Sequence, residues 1–269
     1  MEDLFNLKER VVLITGGAGF LGRVHAEAIG LAGGIPVLLD IHKDRLDECV
    51  KQLGLHSNFK VVPKTVDITD EDQIRIAVEE ILHEFGHIDG LVNNAAINPK
   101  TGEESSRLEN FDLEIWNQDI AVGLTGAFLC AKHYGYKISQ NPDGGVILNI
   151  SSDLGLIAPD QRLYRQQGLP EDQQPVKPVT YSVVKTGLIG LTRYLATYWP
   201  DRVRCNALCP GGVEAGQSDD FLKEVSARIP MGRLAKANEY QGALLFLLSD
   251  SSAYLNGAIL PMDGGRGVW

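Results

Sequence analysis

The chain has 269 residues and a net charge of −10, with a sequence pI near 5.1. That length suits one α/β domain over residues 1–269 and can bury most of its apolar surface. The acidic balance argues against a nucleic-acid or membrane-surface partner, and no apolar run approaches the ~18 residues of a membrane span. The start, Met1-Glu2-Asp3-Leu4-Phe5-Asn6, has no basic segment leading into a hydrophobic one, so a cytoplasmic location is expected.

Arg10-Val11-Val12-Leu13-Ile14 is short, apolar and β-branched, and reads as a buried strand. The glycine-rich turn Thr15-Gly16-Gly17-Ala18-Gly19-Phe20-Leu21-Gly22 follows, then a helical pattern through Ala32. Such glycines let the backbone approach a pyrophosphate, which the N–H groups and dipole of the helix N-terminus then hold. Ile35–Leu39 is a second strand ending in Asp40, 18 residues after Gly22. An acid at that place accepts from an adenosine ribose 2′-hydroxyl and repels a 2′-phosphate, so NAD is the expected cofactor. Arg23 is expected to be a surface charge of the helix.

Phe59–Val62 reads as the third strand, followed by Val66-Asp67-Ile68. Asp70, with Gln73 as capping-box partner, should start a helix that runs to Phe85 and stops at Gly86. Its buried stripe should be Ile74, Ala77, Val78, Ile81 and Leu82. Ile88–Asn93 is strand four, a long helix spans Phe111 to Ile138, and Gly145–Ile150 is strand five. A helix containing Tyr181 leads to strand six, Val203–Leu208; Glu239–Leu248 is helical and Ala258–Leu260 is a last short strand. Alternating strands and crossover helices imply a doubly wound parallel sheet of Rossmann type in a single domain. Cys49, Cys130, Cys205 and Cys209 lack the ligand pairs of a zinc site and read as buried free thiols, so no metal is expected.

Chemistry concentrates after strand five. Ser151-Ser152 closes that strand, and Tyr181 and Lys185 stand four apart on one helix face. An ammonium beside a phenol lowers its pKa from ~10, giving a general base for an alcohol proton, while a serine hydroxyl can hold the alcohol. Between them, Pro159 to Pro178 is a Pro-rich, polar insertion, too irregular for helix throughout and too polar for core. Strand five delivers it to the carboxyl end of the sheet, so it is expected at the substrate entrance. There Arg162 and Arg165 could fork onto an anionic group and Tyr164 could stack on a sugar face.

Together these residues resemble the short-chain dehydrogenase/reductase family over nearly the whole chain, in its short single-domain branch. The glycine turn, Asp67, Asn93-Asn94-Ala95-Ala96, Ser152, Tyr181 with Lys185, Pro210-Gly211-Gly212 and Asp263-Gly264-Gly265 occur in the family's order. The resemblance implies Ser152, Tyr181 and Lys185 as the catalytic residues. It implies cofactor contacts from Gly16, Gly19, Phe20, Leu21, Gly22, Asp40 and Ile41, with Asp67 and Ile68 at the adenine. Asn94, Ala95 and Ala96 would flank the cofactor, as would Tyr181, Lys185, Pro210, Gly211 and Val213, the last through its backbone at the carboxamide. A homotetramer or homodimer is also implied, with Gly267-Val268-Trp269 as a candidate interface element. The insertion and the surroundings of Tyr181 are similar to bacterial members assigned to surface-sugar and flagellin-glycan pathways.

Four positions depart from the family pattern. The spacing Gly16, Gly19, Gly22 is that of the longer, sugar-nucleotide-modifying branch; Gly123 stands where an asparagine usually assists a relay water; Ala215 replaces a threonine. Ser152 and Tyr181 are 29 apart rather than the usual about 13. The expectation is therefore an NAD-dependent oxidoreductase transferring hydride between nicotinamide and a secondary alcohol or ketone, on a small carbohydrate-like substrate. The alternatives are a sugar-nucleotide epimerase or dehydratase with bound NAD, suggested by the glycine spacing, and a non-catalytic dinucleotide-binding subunit, suggested by Gly123.

Overall fold

The computed structural model describes residues 4–56, 59–97 and 106–269. Seven parallel strands form one sheet in the order β3-β2-β1-β4-β5-β6-β7. They are β1 (Val11–Thr15), β2 (Ile35–Asp40), β3 (Val62–Thr65), β4 (Gly90–Asn93), β5 (Gly145–Ile150), β6 (Val203–Pro210) and β7 (Ile259–Met262). Because side chains alternate along a strand, β1 feeds two cores. Val11 and Leu13 join one with Ile74, Ile81, Leu129 and Leu195; Val12 and Ile14 join the other with Ile29, Leu46 and Leu244. Helices α3 (Glu71–Phe85) and α7 (Val179–Tyr198) thus cover one face, and α1 (Phe20–Leu31), α2 (Lys43–His56) and α9 (Gln241–Leu248) the other. Chain direction across the sheet reverses between β1 and β4, which opens a crevice at their carboxyl ends.

The long helix is built in pieces: α4 (Leu113–Ile120), a π turn (Ala121–Thr125), α5 (Gly126–Cys130), a second π turn (Ala131–Gly135) and α6 (Tyr136–Ser139). Gly123 lies in the first π turn, packed so tightly that an added Cβ would sit 2.5 Å from Val184 Cγ1. The expected stripe of α3 is buried at Ile74, Ala77, Val78 and Ile81, and Gly86 ends the helix in the left-handed region at φ 80°. Among the described residues, no helix is long and apolar enough to cross a membrane. All four cysteines are buried and unpaired.

Three local expectations need correction. The third strand begins at Val62, paired with Val37, and not at Phe59. Phe59 packs its ring over Gly30 of α1, where a Cβ would meet it at 2.1 Å, so it anchors a helix instead of extending a strand. Asp70 does cap α3 through the Asp72 and Gln73 N–H groups, but the Gln73 side chain does not close a capping box. Its amide donates to the Asp70 carboxylate and accepts from the Asp67 N–H. The insertion also supplies core: Leu163 is buried with Val225, Ile229 and Leu234 in a third cluster beside α8 (Asp219–Ser226).

Candidate active site

A cleft of about 910 Å³ runs along the carboxyl ends of the strands, large enough for a dinucleotide's reactive end and a small substrate. At one end α1 begins at Gly19 with no side-chain cap and no acid in its first turn, leaving its N–H groups to the cleft. Gly16 has φ +61°, and a Cβ there would sit 2.9 Å from Ala95 Cα; only glycine brings the turn this close to strand four. Asn94 locks the approach, donating from its amide to the Thr15 and Gly16 carbonyls. An uncapped, side-chain-free helix start of this kind fits a pyrophosphate.

The expected cofactor residues Gly16, Gly19, Phe20, Leu21, Asp40, Ile41, Asp67, Ile68, Asn94, Ala95, Ala96, Pro210, Gly211 and Val213 all line this cleft. Gly22 does not; an added Cβ would strike the Gly16 carbonyl at 2.4 Å, so its part is to pack the turn on α1. Asp40 accepts from the Ala18 and His42 N–H groups, which points its carboxylate at the turn. Asp67 accepts from Thr69. Arg23 binds Gln52 on the helix surface, as expected of a solvent-facing charge.

Ser152, Tyr181 and Lys185 line the other end of the same cleft. The Lys185 ammonium is buried, donates to the Ile150 carbonyl at 2.8 Å and lies 5.8 Å from the Tyr181 ring centroid. Burial pushes it down to about 8, and the neighbouring Lys177 acts in the same sense. The expected lowering of the Tyr181 phenol is not found. Burial raises it, a hydrogen bond with Ser152 pulls it back, and the Asp153 charge adds to the rise. The reason is geometric, since Lys185 spends its ammonium on a backbone carbonyl while the half-buried phenol feels the Asp153 carboxylate.

That carboxylate was missed in the sequence. Asp153 is buried, accepts from the Ser152 hydroxyl at 2.8 Å and pairs with Arg266 at 2.9 Å. Arg266 comes from the C-terminal segment, whose last residues Val268 and Trp269 are exposed. Lys177, also missed, holds its ammonium 3.9 Å from the Tyr181 ring centroid. It lies before Pro178 and outside α7, so the one-turn helical spacing that pairs Tyr181 with Lys185 does not extend to it. Behind Tyr181 and Lys185 a cavity of about 10 Å³, the size of one water, is lined by Asp119, Gly123, Thr180 and Val184.

The insertion reaches the cleft through Leu163, Tyr164 and Lys177. Arg162 and Arg165 do not line it, which corrects the expectation for both. Arg162 is held by Asp160 at 2.8 Å and Arg165 by Glu171, both exposed pairs within the loop. Asp160 also takes Arg228 at 2.8 Å, and Arg107 donates to the Glu171 and Gln174 carbonyls, so the loop is tied down on two sides.

Residues 10–164 match a family model described as short chain dehydrogenase, and residues 171–266 one described as Enoyl-(Acyl carrier protein) reductase. The chain is 31% identical to an NADP-dependent mannitol dehydrogenase of Alternaria alternata, over 98% of this chain and 95% of that one. It is 32% identical to a cis-4-hydroxycyclohexanecarboxylate dehydrogenase of Sinomonas cyclohexanicum, over 96% of each. A solved gluconate 5-dehydrogenase from Burkholderia cenocepacia J2315, in complex with NADP and tartrate, matches at TM-score 0.86 and 26% identity, covering 100% of this chain and 99% of that one. Likeness that runs through both halves of the sheet and both ends of the cleft leaves one conclusion: the chain belongs to the short-chain dehydrogenase/reductase family, oxidoreductases that use a nicotinamide cofactor on alcohol or ketone substrates.

Proposed function

We propose that this protein is an NAD-dependent dehydrogenase that interconverts a secondary alcohol and its ketone on a small, oxygen-rich substrate. The observation that carries the reading is the convergence of Ser152, Tyr181 and Lys185 in one cleft with the uncapped start of α1. The nicotinamide, when bound, accepts or supplies the hydride. Tyr181 exchanges the substrate's hydroxyl proton at its phenolic oxygen, and its raised pKa suits it to donate that proton in the ketone-to-alcohol direction. Ser152 holds the substrate oxygen by turning its hydroxyl proton away from Asp153. Lys185 holds positive charge beside the phenol and steadies β5 through Ile150. The names of the relatives support a polyol or a hydroxy acid as substrate.

The test is NAD reduction with a panel of polyols and hydroxy acids, run beside Tyr181→Phe. Removing the phenolic oxygen should cost about 10²–10⁴-fold in kcat/KM while NAD affinity stays within about threefold. A variant keeping a tenth or more of wild-type activity would overturn Tyr181 as the proton carrier.

The choice of NAD rests on Asp40, whose carboxylate lies where a 2′-phosphate would be repelled. NADP is the second reading, favoured by relatives named for it and by His42 and Arg45, which line the same end of the cleft. Titration decides: NAD should bind at least about tenfold tighter than NADP, and Asp40→Ala should close most of that gap. Equal or tighter NADP binding by the wild type would reverse the assignment. We also propose a homodimer or homotetramer, supported by exposed Phe128, Tyr136, Tyr194 and Tyr198 on α5, α6 and α7.

A further inference from the structure

At the chemical end of the cleft, nearly every cation has its partner. Arg266 is paired with Asp153 and Lys185 donates to the Ile150 carbonyl, while Arg228 and Arg162, outside the cleft lining, share Asp160. Lys177 is the exception. Among the described residues no carboxylate reaches its ammonium within ion-pair distance; the Asp153 charge acts on it only from further away. Yet the side chain is partly buried, lines the cleft and lies against the face of Tyr181.

We propose that Lys177 is the docking point for a carboxylate on the substrate, so that the favoured substrates are hydroxy acids and their keto acids rather than neutral polyols. This rests on the reading of the cleft as a dehydrogenase site and adds to it the substrate's charge. Three observations carry it. First, the residue is held in place: its N–H donates to Gln161 Oε1 at 2.8 Å, its carbonyl accepts from Gln161 Nε2 at 3.5 Å, and Pro178 stiffens the next position. A cation aimed by a clamped backbone is pre-organised for a ligand. Second, withdrawing an ammonium from water without a counter-charge is unfavourable, and an incoming carboxylate would relieve it. The same burial holds Lys177 down at about 8, so it remains largely charged at neutral pH. Third, the surroundings select a singly charged ligand. Asp153 at the same end opposes a dianion such as phosphate, and it partly neutralises Arg266 through a single Nη1–Oδ2 contact at 2.9 Å. Leu163 and Phe221, which line the same cleft, offer an apolar wall to a carbon skeleton.

The experiment uses matched pairs at saturating NAD: D-gluconate against D-glucitol, and cis-4-hydroxycyclohexanecarboxylate against its neutral carboxamide. The readout is the ratio of kcat/KM for the acid to that for its neutral partner. Lys177→Gln should lower this ratio at least about tenfold, and Lys177→Arg should keep it within about threefold of wild type. Calorimetric titration with cyclohexanecarboxylate, a monoanion with no hydroxyl to oxidise, with and without NAD, supplies a readout free of turnover: Lys177→Gln should weaken its binding at least about tenfold. A lysine that served only to tune Tyr181 would depress acid and neutral substrates alike and leave the ratio unchanged, which would overturn the proposal. So would a wild type that neither binds cyclohexanecarboxylate nor prefers an acid to its neutral partner. If nothing is oxidised but cyclohexanecarboxylate binding depends on Lys177, the reaction assigned above falls and the carboxylate site stands. If both members of each pair are oxidised with a ratio that Lys177→Gln does not move, the site falls and the reaction stands.

Discussion

Lys185 is 5% exposed and carries a charge that the surrounding apolar packing opposes. Its folded pKa of about 8 lies below the ordinary lysine value of 10.5, so between those limits the unfolded chain binds the extra proton and stability rises with pH. On going from pH 7.5 to 9.5, wild type should gain roughly 1–2 kcal/mol relative to Lys185→Met, read from urea melts of both proteins. Comparing the two proteins cancels the opposite pull of buried thiols and phenols such as Cys130 and Tyr134, whose pKa values burial raises. A constant difference across that range would mean the ammonium is not held in a dry site. Gly123 makes a related point about space. An asparagine there has no room, because Val184 already fills the place of its Cβ. Its absence therefore reflects packing of the π turn against α7 and gives no ground for a non-catalytic reading.

At the scale of elements, the insertion is what sets this cleft apart. Leu163 inserts into the cluster with Val225 and Ile229, Asp160 ties the loop to Arg228, and Gln174 returns three hydrogen bonds to the loop's own backbone at Gln166 and Leu169. A segment stitched this way acts as a wall for α8 and not as a loose flap. Replacing residues 161–174 by a short Gly-Ser bridge, with Lys177 kept, should raise KM for the substrate at least about tenfold while NAD affinity stays within a few-fold. Unchanged kcat/KM in steady-state assays would show that the wall takes no part in recognition. The glycine turn and α1, in contrast, are held by Asn94, Ala95 and Phe59, all outside the insertion.

For the whole molecule, the sheet order puts the reversal point between β1 and β4, so both ends of the cleft lie on one rigid edge. The helices on the β4–β5 side keep large apolar side chains outward, among them Phe128 and Tyr194. Light scattering behind size-exclusion chromatography should return two or four copies of the chain at micromolar concentration, and Phe128→Glu with Tyr194→Glu should shift the protein toward a monomer. A wild-type monomer at that concentration would refute the assembly. The C-terminal segment sends Arg266 inward to Asp153 while Trp269 faces out, so its ends divide between the site and the surface.

Sequence by itself determined the fold and most of the site, because those signals are local. Alternating apolar runs specify strands buried on both faces, Gly16 and Asp40 sit at fixed distances from β1 and β2, and Tyr181 with Lys185 needs only one helix turn. Strand ends shifted by one to three residues at β3, β4, β6 and β7, and at β3 the shift follows from the second task Phe59 has on Gly30. What tertiary structure decided were the charges. Arg162, Arg165, Lys177 and Arg266 look equivalent in a polar sequence, yet among the described residues three of them find a carboxylate and Lys177 does not. The pKa of Tyr181 was decided in the same way, by the burial and the Asp153 charge that long-range packing brings to it. Pairing and desolvation depend on which distant residues arrive within a few ångströms, and no spacing along the chain encodes that.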